Sequence, residues 1–291
     1  MTHWLEQGDL FPRASQAQSA PENDNGKRPA LIKALPTVKL RRGRYQDVYE
    51  SDYQTDALIV DAPYSSRTHK GHDDGLAAVN RFRPEDEKRK RVDNRTGAVY
   101  AVGVHRRKAI NFGAWTPDDV RDFVGFWAPR TRGWFVTMTD HVLAPHWEAA
   151  LEASGRYVFS PITYMEPGGR VRTTGDGPAQ WSCFIVAARP KTKAAMKWRA
   201  LPGGYVLPPE QNDRKADDLS VVGGKSLWIM RSLVRDYSNA GDLVTDPCCG
   251  AGTTLLAALM ADRSADGAEA LDAHADKAIE RLRRGYTRPL F

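Results

Sequence analysis

An α/β protein with a doubly wound, mostly parallel sheet is the fold that the sequence predicts. Two short apolar runs, "DALIVDAPY" (56–64) and "GWFVTMTD" (133–140), read as buried parallel strands. The last part of the chain alternates strand, helix, strand, helix, which implies parallel pairing through right-handed crossovers. A glycine-rich turn, "DPCCGAGTT" (246–254), joins the first strand of that unit to its helix.

In chain order, residues 1 to about 35 are polar, without an apolar period, and read as a disordered or loosely packed arm ahead of one domain over 36–291. After the strand at 56–64, residues 65–112 are basic and aperiodic, a length of loop that is uncommon without a function. In "TPDDVRDFVGFWAPRT", Thr116 suits an N-cap, Pro117 the first helical position, and Asp119 the partner of a capping box. The strand at 133–140 leads to the helix "VLAPHWEAALEASG", closed by Gly155. "RYVFSPITYME" and "WSCFIVAARP" read as strands around a basic glycine-rich loop, and 190–222 as irregular. "GKSLWIMRSLVRDYS" places Leu227, Met230, Leu233 and Val234 on one helical face. "DLVTD", "GTTLLAALMADR", "ADGAEA" and "DAHADKAIERLRRG" complete the alternating unit.

Composition narrows the function. No apolar run approaches the roughly 20 residues that span a bilayer, and the N-terminus lacks the layout of a signal peptide, so a cytoplasmic location is expected. Three cysteines, Cys183, Cys248 and Cys249, form neither a disulfide framework nor a zinc spacing, and read as buried reduced thiols. The net charge is +6, and residues 65–112, with 12 Lys and Arg against 6 Asp and Glu, account for all of it. An anionic partner at that stretch is the functional reading, a solvated loop the plain one. His69 and His72 with Asp73 are too weak a pattern for a metal site, and no metal is expected.

The glycine turn is the strongest local signal. Gly250 and Gly252 permit positive φ and close approach of a ligand, and the helix after them aims its free N–H groups there. A nucleoside triphosphate does not fit, because the phosphate-loop lysine is missing from Gly-Thr-Thr. Glu269 ends the next strand, 17 residues after Gly252, where a carboxylate can accept two hydrogen bonds from a ribose diol.

"DLVTDPCCGAGTT" resembles the S-adenosylmethionine-binding motif of the DNA amino-methyltransferases, and "GAEALDAHADKAIERL" resembles the next motif of that family. The resemblance implies a cofactor site made by Asp246, Pro247, Cys248, Gly250, Gly252, Thr253 and Glu269. "GGKSLW" is similar to the segment these enzymes carry upstream, which adds Lys225. Cys248 stands where the family has an aromatic residue lining the cofactor pocket.

"VDAPYSS" resembles the family's catalytic tetrapeptide, with Ala62 replacing the first proline. An exocyclic amino group is a poor nucleophile because its lone pair is delocalised into the ring. Asp61 and the Ala62 carbonyl would accept its protons and bias it toward sp³ geometry, with Pro63 shaping the turn and Tyr64 stacking on the flipped base. The base-site motif precedes the cofactor motif by 185 residues. That order resembles the permuted, beta class, and implies a Rossmann-like methyltransferase fold. Asp47 matches an acidic residue found shortly before the catalytic strand and joins the cofactor set. Asp140, at a strand end, either positions the base or its loop or caps a helix.

Double-stranded DNA is the implied partner. Arg67 and Lys70 come directly after the catalytic turn, "EKRKRVDNR" offers Lys88, Arg89, Lys90 and Arg91, and "HRRK" offers Arg106 and Arg107 for phosphate contacts. Arg170 and Arg172 form a second candidate. The resemblance favours adenine N6, because cytosine-N4 enzymes often carry Ser in place of Asp61; cytosine N4 is the runner-up. A degenerate, non-catalytic nucleic-acid binder is the reading that the Ala62 and Cys248 departures support. A homodimer and a cognate restriction enzyme are further partners the resemblance allows, and DNA binding would associate the protein with the nucleoid.

Overall fold

A computed structural model describes residues 35–70, 90–92, 99–101, 110–167, 177–178, 180–192, 200–212 and 218–285; for 90–92 and 99–101 only the backbone is described. The N-terminal arm lies outside these residues. The nine-stranded sheet runs in the order β1 (Val38–Arg42), β11 (Ser264–Glu269), β10 (Leu243–Asp246), β2 (Ala57–Asp61), β5 (Phe135–Thr139), β8 (Ser182–Pro190), β7 (Ile162–Met165), β9 (Gly204–Val206), with β6 (Arg156–Val158) also paired to β8. From β1 to β5 every pairing is parallel. β8 runs antiparallel to β5, β6 and β7, and β9 is parallel to β7.

The chain winds outward from the centre in both directions. From β2 it crosses through α2 (Pro117–Trp127) to β5; from β10 it crosses through α5 (Thr253–Met260) to β11 on the other side. One core packs Val120, Phe123, Trp127, Trp147 and Leu151 of α2 and α3 (Ala144–Ala153) onto Leu58, Val60 and Phe135. The other packs Ile229, Met230, Leu233 and Val234 of α4 (Leu227–Tyr237) and Leu255 and Leu256 of α5 onto Ile59, Val136, Met138 and Val244. β2 and β5 are therefore buried on both faces, which explains their unbroken apolar runs. The strand order reverses between β2 and β10, and such switch points leave a crevice at the carboxyl ends of the strands. The tail helix α6 (Asp272–Gly285) packs against β1, β11 and α5.

The helix starts obey the sequence signals. Thr116 Oγ1 accepts the Asp119 N–H at 3.3 Å while Asp119 accepts the Thr116 N–H at 2.8 Å, closing the capping box. Gly155 adopts φ +83 just past α3. Ser226, fully buried, accepts the Ile229 N–H and starts α4.

Four expectations need correction. β1, with the single-turn helix α1 (Tyr45–Val48) after it, was not anticipated: "VKLRR" looks polar, and its partner β11 lies more than 200 residues away. Arg41 makes an ion pair with Asp266 of that partner, Nε to Oδ1 at 3.0 Å. "RYVFSPITYME" is two strands, broken around Pro161, which cannot donate to the β8 ladder. The stretch 190–222 is not wholly irregular, since β8 ends at Pro190 and β9 and a 3₁₀ turn at Pro209–Gln211 lie within it. Inside 65–112, residues 66–70 are helical and β3 (Lys90–Val92) pairs antiparallel with β4 (Val99–Ala101) as a separate ribbon.

Candidate active site

The glycine turn is built by short-range bonds. β10 delivers Asp246, the Cys249 N–H reaches the Ala268 carbonyl at 3.0 Å, and the Gly252 N–H closes onto the Cys249 carbonyl at 2.7 Å. Gly250 and Gly252 take φ +53 and +76, and a Cβ on Gly252 would lie 3.0 Å from the Ala278 Cβ of α6. Glu269 braces the turn from β11. Its Oε2 accepts the Gly250 N–H and its Oε1 the Leu271 N–H, both at 2.8 Å. Each carboxylate oxygen has a second lone pair left for a ligand. His274 stands 3.9 Å from Glu269, and burial holds its pKa below the usual value despite that carboxylate.

Asp246 is almost wholly buried, and burial pushes its carboxyl up to about 7, against hydrogen bonds from Thr254 and the Cys248 N–H and with the charges of Asp61 and Glu269 adding to the rise. Cys248 packs against the core that holds Tyr45, and burial raises its thiol well above the ordinary range, as it does for Cys249.

The turn at Asp61–Tyr64 is built differently. Asp61 ends β2, and Ala62 is buried in the α2–α3 core. The Tyr64 hydroxyl donates to Asp61 Oδ1 at 3.2 Å, and Lys225 Nζ donates to Oδ1 at 2.8 Å and Oδ2 at 2.7 Å. Burial raises the Tyr64 phenol well above its usual value and the Cys183 thiol, its hydrogen-bond partner, to about 11. Asp140 at the end of β5 fixes the chain beyond Tyr64. Its Oδ2 accepts the Ser65 N–H (2.9 Å), the Ser65 hydroxyl (2.5 Å) and the Thr68 hydroxyl (2.6 Å), while Oδ1 accepts the Val142 and Leu143 N–H groups. Burial alone would raise its pKa, but these donors hold it below the ordinary value. Asp140 thus caps the turn into α3 and anchors the loop after Tyr64 at once.

Two lines of backbone join the halves. Trp115 N–H donates to the Tyr64 carbonyl at 3.0 Å, which brings Phe112 edge-on to His69 (5.4 Å between centroids) and within 6.5 Å of His274. The strap 221–225 passes from Gly250, where Val221 packs, to Asp61, where Lys225 ends. Neither Phe112 nor Cys183 stands out in the sequence, because no local pattern marks a residue whose role comes from tertiary neighbours.

Of the remaining candidates, Pro247 is buried, and Thr253 is the half-buried first residue of α5. Asp47 is exposed on α1, which packs against β11. Arg67 and Lys70 are exposed in the helical stretch after Tyr64. Lys90 and Arg91 belong to the β3–β4 ribbon; Lys88, Arg89, Arg106, Arg107, Arg170 and Arg172 lie outside the described residues, as do His72 and Asp73. Among the described residues no group of three His, Cys, Asp or Glu is arranged to hold a metal ion, and no helix is long and apolar enough to cross a membrane.

Residues 205–280 match the N6/N4 methyltransferase family, described as DNA methylase. Comparison with the curated proteins finds no match. Among solved structures, M1.HpyAVI in its SAM complex is 18% identical over 84% of this chain and 98% of its own, with a TM-score of 0.53; without that ligand its TM-score is 0.54. The PvuII DNA methyltransferase, described as cytosine-N4-specific, is 11% identical over 86% of this chain and 94% of its own, with a TM-score of 0.51. These likenesses are of fold. The matched segment contains the strap, the glycine turn and Glu269.

Proposed function

We propose that the chain transfers a methyl group from S-adenosylmethionine to adenine N6 of a base flipped out of double-stranded DNA. The observation that carries this reading is the meeting of two neighbouring strand ends: Asp61 at the end of β2 and the glycine turn after β10 open on the same switch-point crevice. The residues present suit the cofactor. Glu269 keeps a free lone pair on each oxygen for ribose hydroxyls, and Gly250 and Gly252 leave the turn bare of side chains. Asp246, Asp61 and Glu269 act on one another electrostatically, so the site favours a cationic sulfonium. Pro247, Cys248, Thr253 and the exposed Asp47 complete the proposed cofactor wall, with Phe112 an aromatic neighbour in the absence of one at 248. When bound, S-adenosylmethionine supplies an electrophilic methyl carbon and a neutral thioether leaving group.

The chain's own residues prepare the nucleophile. Asp61 and the Ala62 carbonyl accept the two amine protons and draw the nitrogen toward sp³ geometry. As the new N–C bond forms, the nitrogen sheds one proton through Asp61 to water. Tyr64, held by Asp61 and Cys183, offers its ring to the base. Asp61, rather than Ser, favours adenine over cytosine. Residues 36–291 act as one methyltransferase domain whose insert at 65–112 meets DNA. Arg67 and Lys70 follow Tyr64 directly, and the β3–β4 ribbon with Lys90 and Arg91 has the form that fits a major groove; Lys88, Arg89, Arg106, Arg107, Arg170 and Arg172, outside the described residues, are further proposed phosphate contacts. A second copy of the chain and a cognate restriction enzyme are partners to be sought alongside DNA in the cytoplasm.

The test is modification-sensitive long-read sequencing of DNA from cells expressing the protein, beside an Asp61→Ala control. Modified adenines in one short motif, absent from the control, are expected. Modified cytosines would move the substrate to N4. An unmodified genome with a well-expressed, cofactor-binding protein would leave the degenerate binder as the better reading.

A further inference from the structure

Lys225 reaches the site on a tethered strap. Lys277 of α6 holds the Ser220 carbonyl at 2.9 Å where the strap begins, the Gly224 N–H turns back onto the Val221 carbonyl, and the buried cap Ser226 fixes the residue after Lys225. The ammonium has three hydrogens and three acceptors: Asp61 Oδ1, Asp61 Oδ2, and the Gly223 carbonyl at 3.2 Å. It also lies 4.8 Å from the centre of the Tyr64 ring. The family resemblance implies a cofactor contact for Lys225, yet the ammonium sits on the proposed catalytic carboxylate.

We infer that Lys225 is a positioning residue of the base half, which fixes the orientation of the Asp61 carboxylate toward the target amine; the inference rests on the methyltransferase reading. The groups that face Asp61 are Lys225 from the strap, Tyr64 from its own turn, Cys183 from β8, and Asp246 and Cys248 from the glycine turn. Lys225 is the cation of that set. Without it, the Asp61 carboxylate would lose two of the three hydrogen bonds that orient it and keep the one from Tyr64. With it, a carboxylate has about four lone-pair sites; Lys225 takes one on each oxygen and Tyr64 a second on Oδ1. The open acceptor is on Oδ2, and it is assigned to the amine proton.

The experiment compares wild type with Lys225→Met, Lys225→Gln and Lys225→Arg in the full chain. It reads kcat on unmethylated duplex DNA, and S-adenosylhomocysteine affinity by calorimetry. The expected result is a loss of about 100-fold in kcat for the methionine variant, the scale of a misplaced catalytic group. Product affinity stays within a few-fold of wild type, and arginine restores most of the rate. Should the methionine variant fail to fold, the glutamine variant decides on the same readouts. Full kcat without the cation overturns the inference, as does a loss confined to cofactor affinity. A wild type that binds S-adenosylhomocysteine but methylates no DNA fails before any variant is made and sinks the methyltransferase reading, taking this inference with it.

Discussion

The proposed cofactor half and the proposed base half of the site are built in opposite ways. The cofactor half, 243–285, is one continuous strand–turn–helix–strand–helix, and its brace spans only the 19 residues from Gly250 to Glu269. The base half gathers Asp61, Asp140, Cys183 and Lys225 from separate segments, with 164 residues between Asp61 and Lys225. Their electrostatics differ too. The cofactor half buries the Asp246 carboxyl with no cation in contact and raises it, while the base half surrounds Asp140 with donors and lowers it. A half closed by short-range bonds leaves a motif in the sequence; a half closed by tethers depends on every tether being right.

Perturbing each half separately sharpens that contrast. The largest effect is expected from Glu269→Ala, which removes the proposed ribose acceptor and leaves the Gly250 and Leu271 N–H groups unpaired. Cofactor affinity should fall about 100-fold, measured by calorimetry, and the fold should lose about 2 kcal/mol. Asp140→Ala leaves five donors without their acceptor, costing about 3 kcal/mol in denaturant unfolding. Because it frees the proposed catalytic loop rather than the glycine turn, kcat should drop while S-adenosylhomocysteine affinity holds; equal losses in both would erase the distinction between the halves.

The pH dependence of stability should carry both signs. Asp246, raised in the fold, stabilises below its unfolded pKa near 4 and loses that contribution as pH rises through about 7. Asp140, lowered in the fold, stabilises above that unfolded value and loses its contribution as pH falls through the lower folded one. Asp246→Asn should therefore remove the decline of Tm between pH of about 4 and about 7 and leave the acid flank unchanged. An unaltered slope in that variant would assign the decline to other groups. The smallest effect belongs to a cap far from either half: Thr116→Ala should cost about 1 kcal/mol in thermal unfolding and leave kcat alone.

The sequence made most of this fold legible where the signal was local. The capping box at Thr116, the helix at 227–237 and the whole unit from Leu243 to Gly285 appear where their patterns place them. β1 escaped because a basic edge strand is decided by β11, not by its own composition, and β9 because three residues give no period. The site divides along the same line. Glu269 and the glycine turn could be read from spacing, with Glu269 doing more than expected by bracing the turn. Asp140 could be placed at a strand end, but its hold on Ser65 and Thr68 is a tertiary fact. The Lys225–Asp61 pair and the position of Phe112 arise from loop paths that no window of sequence contains.

The most direct test of the central claim is nucleoside mass spectrometry of unmethylated duplex DNA incubated with purified protein and S-adenosylmethionine carrying an isotopically labelled methyl group, with Asp61→Ala in parallel. The account predicts labelled N6-methyldeoxyadenosine from the wild type and none from the variant, although both bind S-adenosylhomocysteine. Equal labelling by the two proteins, or none by either while both bind that product, would contradict it.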